Sequence, residues 1–276
     1  MTGFVIYGIV GALGEKLVQF TEERMGTRAL MDASVKQAID RGELESKTAQ
    51  EVVRWAVQQF GNRVALASSF GAEDVVLLHM LAAASPNPRV FTLDTGRLNQ
   101  ETYDVMDKIR EKYHVAIEVM FPKAEAVEQM VREKGLNLFY HSIENRKLCC
   151  GIRKVEPLNR ALATCDAWIT GLRRGQVVTR AAVKKVDIDA DHGGIVKLNP
   201  LADWTWKQTT DYVKENQIPY NVLHDQGYPS IGCAPCTRAI KPGEDFRAGR
   251  WWWERPEQKE CGLHVSGTVK EERAKG

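Results

Sequence analysis

Short apolar runs alternate with helical patterns along the middle of this chain. Strands are predicted at 64–67, 89–93 and 115–120, and a helical pattern follows each of them within a few residues. Strands that alternate with helices over short connections are typical of a parallel, doubly wound sheet. A further strand at 167–170 and hairpin-like runs within 184–198 extend the pattern. We therefore predict an α/β fold built on a doubly wound, mainly parallel sheet.

The beginning of the chain does not share this alternation. Residues 1–45 show weak helical patterns and no motif, so they are expected to form a peripheral helical segment, with contact to another subunit of a homo-oligomer as one role. Thr48 and Glu51 form a capping-box pattern, which predicts the start of the first clear helix. The expected organisation is the peripheral segment, then an α/β domain at 46–245, then a mobile C-terminal tail at 246–276.

Composition excludes several classes of protein. The 276 residues, 43% of them hydrophobic, are enough to bury a full core. A formal net charge of +2 is too small to indicate nucleic acid as a partner. The most apolar run, residues 4–13, is too short to span a membrane, and no basic segment precedes it. Six cysteines in a chain of this length are more typical of metal or redox chemistry in a reducing compartment, so we expect a cytoplasmic protein.

Two turns rich in small and polar residues follow predicted strands. Ligands of parallel sheets gather at the carboxyl ends of the strands, so the turns at 68–74 and 94–97 are expected to face one crevice. A strand, a turn with free backbone N–H groups and a helix N-terminus also form a natural anion site, although 68–74 taken alone is more often an ordinary strand-to-helix turn. The candidate binding residues here are Ser68, Ser69, Gly71, Leu93, Asp94 and Gly96.

Four of the six cysteines form two close pairs that are far apart in the sequence. Cys149 and Cys150 are adjacent, whereas Cys233 and Cys236 form a Cys-x-x-Cys motif. Each pair can present two thiolates to one ion or cluster, which predicts a sulfur-ligated metal centre. A thioredoxin-like redox dithiol is the alternative for the second pair, but that pair lacks the preceding Trp of such a site and follows the main sheet pattern. The chemistry alone leaves zinc and iron–sulfur equally open.

The other two cysteines have different settings. Cys165 ends an apolar helical pattern and is predicted to be a small buried hydrophobic residue without a chemical role. Cys261 lies on a polar tail, with His264 three residues later. A cysteine on such a tail is usually inert, but His264 and the upstream arginines would favour its thiolate if the tail folded over the crevice, which would make it a nucleophile. The neighbouring Glu260 would act in the opposite direction.

Basic residues in the second half of the chain can hold an anionic ligand. If a helix begins near Cys150, Lys154 lies one turn further along the same face and can point at whatever the cysteines hold. The tryptophan run at 251–253 is compatible with a nucleic-acid surface, but such a cluster more often packs a domain edge, with its arginines aimed at a small anion. The candidates for the anion are Lys154, Arg173, Arg174, Arg180, Arg247 and Arg250, with Gly171 in the preceding loop.

Taken together, the motifs resemble those of the assimilatory adenylyl-sulfate reductases over about residues 48–264. The resemblance is specific because the tail motif and the four-cysteine set occur together. The residues that carry it are Cys149-Cys150, Cys233-x-x-Cys236, LDTGR at 93–97, TGLRR at 170–174, RAGRWWWE at 247–254 and ECGLH at 260–264.

The resemblance implies an adenine-nucleotide α-hydrolase-like fold and a [4Fe–4S] cluster on the four paired cysteines. It also implies thioredoxin-dependent reduction of adenosine 5′-phosphosulfate (APS) to sulfite and AMP, in assimilatory sulfate reduction and cysteine biosynthesis. In that reaction Cys261 attacks the sulfur and forms an S-sulfocysteine, from which thioredoxin releases sulfite. The 68–74 turn departs from the Ser-Gly-Gly loop of related pyrophosphatases, so nucleotide contact is implied for it rather than a grip on pyrophosphate.

Three other functions remain as alternatives. The related phosphoadenylyl-sulfate (PAPS) reductases share the tail motif but lack the four cysteines, which favours the unphosphorylated substrate here. A tRNA sulfur-insertion enzyme of the same sheet family has no use for the tail motif. A zinc-binding module is the third alternative, and analysis of the bound metal separates it from the reductase.

Overall fold

The structure is a computed structural model that describes residues 32–255. The chain divides into two units, residues 1–43 and residues 44–276. In the first unit the helix Ala33–Asp40 is capped by Asp32, whose carboxylate accepts a hydrogen bond from the N–H of Ser34. Most of the predicted peripheral segment, and the predicted tail residues Cys261 and His264, lie outside the described residues.

The second unit is built on a six-stranded sheet with the strand order β3-β2-β1-β4-β6-β5. Neighbouring strands are parallel, except that β5 and β6 form the antiparallel hairpin expected near the end of the sheet. The predicted mainly parallel α/β fold is therefore confirmed. The strands are β1 (Val64–Ala67), β2 (Val90–Leu93), β3 (Ile117–Met120), β4 (Ala167–Ile169), β5 (Val186–Asp189) and β6 (Ile195–Leu198).

Local sequence signals explain where several helices begin. The Thr48 and Glu51 side chains form the predicted capping box, so the first helix of the second unit starts at Ala49. Thr205 forms a second capping box with Gln208, so a later helix starts at Trp206. The helices are α1 (Ala33–Asp40), α2 (Ala49–Phe60), α3 (Ala72–Ala84), α4 (Gln100–Tyr113), α5 (Ala124–Lys134), α6 (Ile143–Cys150), α7 (Glu156–Leu162) and α8 (Trp206–Glu215).

The core lies on both faces of the sheet. On one face Ala65, Phe91 and Trp168 pack against Leu158 and Leu162 of α7. On the other face α3 packs between α2 and α8, and its apolar residues are buried all round the helix. Within the described residues, no helix is both long enough and apolar enough to cross a bilayer.

The segment that carries the first cysteine pair differs from the expectation. The helix does not begin near Cys150 but ends there, since α6 starts at Ile143, where the Ser142 hydroxyl accepts a hydrogen bond from a backbone N–H. A π-helical segment, Gly151–Val155, then joins α6 to α7. Pro157 lies in the first turn of α7, where its missing N–H is tolerated. The wider π turn changes the angular offset between Cys150 and Lys154, and π segments are frequent at functional sites.

Candidate active site

A crevice opens at the carboxyl ends of β1, β2 and β4. The chain connections change direction here, because β2 and β3 lie on one side of β1 and β4 lies on the other. Ligands of open α/β sheets bind at such a switch point. The predicted binding residues that line the crevice are Ser68, Ser69, Gly71, Leu93, Lys154, Gly171, Arg180, Arg247 and Arg250.

The turn at 68–74 leads into α3, but at least two of its backbone N–H groups already have acceptors. The Asp74 carboxylate accepts from the N–H of Ser69 at 2.6 Å. The N–H of Ala72 donates to Nε2 of His224 at 3.1 Å. A phosphate could reach these two groups only by displacing an internal acceptor, which has its own cost. The geometry thus favours an ordinary strand-to-helix turn over an open anion site.

Two buried carboxylates at the start of α3 face the crevice. Glu73 forms an ion pair with Arg173, with 2.8 Å between Oε1 and Nε. Burial raises the pKa of Asp74 to about 6, although hydrogen bonds from Ser69 oppose the rise. Gly171 lies against both side chains, and a Cβ at this position would overlap the Asp74 carboxylate. Only glycine therefore allows the loop after β4 to approach α3 so closely.

Arg173 and Arg174 lie away from the crevice wall. Arg173 is only 2% exposed and is held by Glu73. Arg174 pairs with Glu45 at 2.8 Å and donates from Nε to the carbonyl of Val183. Among residues 32–255, however, Nη2 of Arg173 is buried and has no acceptor. A substrate contact for either guanidinium group stays a prediction.

The turn at 94–97 is closed by its own side chains. The Asp94 carboxylate accepts hydrogen bonds from the N–H of Gly96 at 2.8 Å and from the hydroxyl of Tyr103 at 3.0 Å. Gly96 adopts a φ of +69°, which few other residues adopt without strain. Neither Asp94 nor Gly96 lines the crevice, so the role of these two residues in substrate binding also stays a prediction.

Arg250 is the cation whose surroundings are best suited to an anionic ligand. It is 7% exposed, and no carboxylate in the 32–255 range forms an ion pair with it. One terminal nitrogen donates to the carbonyl of Ile231 at 3.2 Å, while the guanidinium carbon lies 4.8 Å from the centroid of the Trp251 ring. Carbonyl and aromatic contacts hold this charge without neutralising it, so it remains attractive to an anion.

All four paired cysteines line a second pocket next to the crevice. Cys150 and Cys236 are buried there in an apolar cluster with Phe139 and Trp251, and Cys149 and Cys233 pack against that cluster. The two pairs therefore lie beside one pocket, and their role as metal ligands stays a prediction. Among the described residues, however, no group of three or more His, Cys, Asp or Glu side chains is arranged to hold a metal ion.

Burial and neighbouring charges shift the pKa values of three of the four thiols. Burial raises the pKa of Cys149, and burial together with the neighbouring Cys233 raises that of Cys236 to about 12. Burial also opposes ionisation of Cys233, but Lys154, a 3.2 Å contact with the Thr95 hydroxyl and two arginines outweigh it, so its pKa lies below the ordinary value. Bringing four thiolates together here is costly unless cations balance their charge.

Unpaired hydrogen-bond donors surround the cysteine pocket. The Nε atoms of Arg153 and Arg250 and the indole nitrogen of Trp251 are buried and have no acceptor among residues 32–255. All three residues line the pocket with the cysteines. Buried N–H groups normally find an acceptor, and sulfur ligands or inorganic sulfide would provide one. The donor set and the apolar walls thus fit a sulfur-ligated iron–sulfur cluster.

Lys154 and Arg250 are the two described residues that line both the crevice and the cysteine pocket. Lys154 also exerts the largest favourable electrostatic effect on the Cys233 thiolate. The wall between a predicted anion site and a predicted metal centre is therefore positively charged on both sides. This arrangement links the two sites electrostatically.

A buried ion pair connects the first cysteine helix to the segment that precedes the tail. Two nitrogens of Arg146 on α6 donate to the two carboxylate oxygens of Glu254 at 2.9 and 2.7 Å. The Arg146 guanidinium also lies 4.7 Å from the centroid of the Trp251 ring. The pair fixes residues 251–254 beside the cysteine pocket, close to where the tail begins.

Comparison with known proteins agrees with this geometry. The sequence model for the phosphoadenosine phosphosulfate reductase domain matches residues 63–239. The adenosine 5′-phosphosulfate reductase of Burkholderia cepacia is 54% identical over 205 residues, which cover 74% of this chain and 82% of that protein. The chain belongs to the adenosine 5′-phosphosulfate reductase family.

Two further relatives support the family and the fold. The adenosine 5′-phosphosulfate reductase of Allochromatium vinosum is 51% identical over 201 residues, or 73% of this chain and 78% of the relative. Among solved structures, the PAPS reductase of Candida auris in its phosphate complex aligns with a TM-score of 0.64 at 29% identity. That alignment covers 78% of this chain and all of the other.

Several residues that line the reductase crevice were not predicted as site residues. Glu73 and Asp74 belong to the 68–74 turn, but they are not among its predicted binding residues. Gln176, which donates to Glu73 at 3.0 Å, and His224 carried no local signal. Their roles depend on partners far away in the chain, which sequence spacing does not reveal.

Proposed function

We propose that this chain reduces APS to sulfite and AMP with thioredoxin as the electron donor, in sulfate assimilation for cysteine biosynthesis. The observation that carries the proposal is the switch-point crevice whose cations, Lys154 and Arg250, also border a pocket of four cysteines. Two relatives, 54% and 51% identical to this chain, carry the name of this activity. We place the reaction in the cytoplasm, where a reduced dithiol donor is maintained.

The substrate joins a sulfate and a phosphate through an anhydride, so its site must offset at least two negative charges. Lys154, Arg180, Arg247 and Arg250 line the crevice and provide positive charge. The apolar side chains of the same wall offer surface for the adenine ring. Since Glu73 and Asp74 contribute the opposite charge at the start of α3, we place the phosphosulfate on the cationic side, away from these carboxylates.

The chemistry proceeds by two displacements at sulfur. In the first, the Cys261 thiolate attacks the sulfate sulfur, the bond between that sulfur and the bridging oxygen breaks, and AMP leaves with the bonding electrons. In the second, a thioredoxin thiolate attacks the sulfur of Cys261 and expels sulfite, and its second thiol then resolves the mixed disulfide. The two electrons come from the dithiol, and Cys261 returns to its thiolate. His264 belongs to the same tail and is proposed to add positive charge during the first step.

We propose that a [4Fe–4S] cluster is held by the four thiolates of Cys149, Cys150, Cys233 and Cys236. Sulfur in such a cluster would accept hydrogen bonds from the buried N–H donors that surround the pocket. When bound, the cluster supplies structural order and a local electric field beside the crevice. Analysis of iron, sulfide and zinc in anaerobically purified protein tests this assignment. We expect about four irons per chain, and near-complete loss of iron in a Cys236→Ser variant; zinc in place of iron would refute it.

Replacing Lys154 with alanine is expected to lower kcat/KM for APS by roughly 10- to 100-fold, because a charge-assisted contact to the anion is lost. The iron content should remain unchanged, since Lys154 is not a ligand. The measurement is sulfite release from APS together with iron analysis of the same sample. Lys207→Ala is the matched control, because Lys207 is 84% exposed, pairs with Asp211 of the same helix and does not line the crevice. Kinetics equal to wild type would count against the assigned role of Lys154.

The choice between APS and PAPS is tested directly by assaying both substrates with the same thioredoxin. We expect a clear preference in kcat/KM for APS, since the four cysteines separate the two classes of reductase. A preference for PAPS would replace the proposed substrate by its 3′-phosphorylated form. Sulfur transfer to tRNA without any release of sulfite from either nucleotide would remove the reductase assignment altogether.

A further inference from the structure

The protonation state of His224 in the crevice is defined by its two hydrogen bonds. The ring belongs to the short 3₁₀ helix Val222–Gln226, and it is half-buried. Its Nε2 accepts a hydrogen bond from the N–H of Ala72 at 3.1 Å. Its Nδ1 lies 2.8 Å from the carbonyl oxygen of Tyr228, which can only accept. His224 is therefore neutral, with its proton on Nδ1.

The hydrogen bond from Ala72 to His224 takes the place of an N-cap for α3. The N-cap residue of α3 is Gly71, which has no side chain to accept a hydrogen bond from the first turn. Ala72 is the first residue of the helix, and its N–H is one of the groups that a helix cannot satisfy internally. His224, 152 residues further along the chain, provides the acceptor. It thereby ties the loop at 222–228 to the turn at 68–74, on the wall of the crevice.

We propose that His224 is a positioning residue for nucleotide binding: its neutral ring caps α3 from a distant loop and holds the 68–74 turn in place, and protonation releases that turn. The inference rests on the proposed function, because it takes the crevice to be the nucleotide site. It adds a residue and a pH dependence that the local sequence does not indicate.

The groups that face His224 determine the direction of this pH dependence. Burial lowers its pKa, whereas the Tyr228 carbonyl, Glu73 and Asp225 oppose the shift. Trp206 of α8 packs edge-on against the ring and carries no charge. The neighbouring Arg173 is neutralised by its ion pair with Glu73. The neutral ring therefore prevails at neutral pH, and the cap is lost as the pH falls through the pKa of the folded protein.

Asp74 also changes its protonation at acidic pH, so its effect must be separated from that of His224. Its pKa is raised to about 6 by burial, and its carboxylate accepts from Ser69 in the same turn. A change in nucleotide affinity at acidic pH could thus arise from either group. Variants of His224 and of its partner Ala72 leave Asp74 intact and isolate the contribution of the histidine.

Three substitutions dissect the contact. His224→Gln places an amide oxygen where Nε2 lies, so it retains an acceptor for Ala72 but cannot be protonated. His224→Asn retains a donor towards Tyr228 and loses that acceptor. Ala72→Pro deletes the N–H itself, and proline is well tolerated at the first position of a helix. Gly71 has a φ of −71° and a ψ of 172°, which suits a residue that precedes proline.

The experiment measures AMP affinity by calorimetry on the iron-loaded full chain between about pH 5 and pH 8, with KM and kcat for APS at pH 8. We expect His224→Asn and Ala72→Pro to weaken AMP binding about fivefold at pH 8, with KM raised by a similar factor and kcat retained. His224→Gln should bind AMP like wild type at pH 8. Its affinity for AMP should fall less than that of wild type as the pH is lowered. Thermal unfolding of each variant confirms that it is folded.

The outcomes separate this inference from the proposed function. If wild type and all three variants bind AMP equally and share one pH profile, the role of His224 is refuted while the nucleotide site stands. If His224→Gln is as impaired as His224→Asn, the acceptor to Ala72 is not what matters, and the inference is also refuted. If wild type fails to bind AMP at pH 8, the nucleotide assignment of the crevice falls, and this inference falls with it.

Discussion

Replacing Cys261 with serine is expected to abolish sulfite release from APS, by roughly 10⁴-fold or more, because the hydroxyl is a far weaker nucleophile at sulfur than a thiolate. Cys261 lies outside the described residues, but its place in the chain is compatible with the role. Glu254 is fixed beside the cysteine pocket, and Cys261 follows it by seven residues. An extended segment of that length spans up to about 25 Å, so chain length does not prevent the sulfur from reaching the crevice.

The measurement is sulfite release, with mass spectrometry of protein mixed with APS in the absence of thioredoxin. Wild type should accumulate a sulfonate on Cys261, and the variant should carry none. The control is Cys165→Ala, which removes a cysteine that is 2% exposed and packs in the core against α7. That variant should release sulfite at the wild-type rate. Sulfite production by Cys261→Ser, or a sulfonate trapped on a different cysteine, would contradict the mechanism.

Replacing Arg146 with methionine is expected to lower the free energy of unfolding by about 3–5 kcal/mol, because Glu254 would be left as a buried, unpaired carboxylate. The two side chains are 1% and 2% exposed, so water cannot take the place of the missing partner. The effect should be measured by urea unfolding at matched iron content, since bound metal stabilises the folded state by itself.

The double variant Arg146→Met with Glu254→Gln separates the two causes of this loss. It removes the orphaned charge, so much of the stability should return if the unpaired carboxylate is the main cost. Arg110→Ala is the control, because Arg110 and Asp107 form an exposed pair at 3.9 Å that should contribute less than about 1 kcal/mol. A loss for Arg146→Met no larger than that of the control would show that the buried pair does not anchor the segment before the tail.

Much of the fold could be predicted from local patterns. The capping box at Thr48 and the strand Val64–Ala67 lie where the sequence places them, and a helix, Ala124–Lys134, follows the third strand as predicted. These elements are marked by caps and by hydrophobic periodicity, which act over a few residues. The junction at Cys150 could not be predicted in the same way, because a π-helical segment has no comparable signature.

The candidate site, like the fold, could be predicted only in part from the sequence. The set of cysteines and the cationic character of the site follow from residue types and spacing, since thiolates and guanidinium groups have the same chemistry in any fold. Residue types and spacing do not show which of the cations face the crevice. Arg173 and Arg174 are prominent in the sequence, yet Glu73 and Glu45 hold them as ion pairs across 100 and 129 residues.

The amino-acid sequence by itself determined the alternation of strands and helices, the pairing of four cysteines and the chemical family, because these depend on short-range patterns and on the nature of the side chains. Only the tertiary structure decided that Lys154 and Arg250 border both pockets, that Arg146 and Glu254 form a buried pair, and that His224 caps α3. The reason is physical: burial and ion pairing depend on which distant segments meet, and folding brings them together across a hundred residues or more.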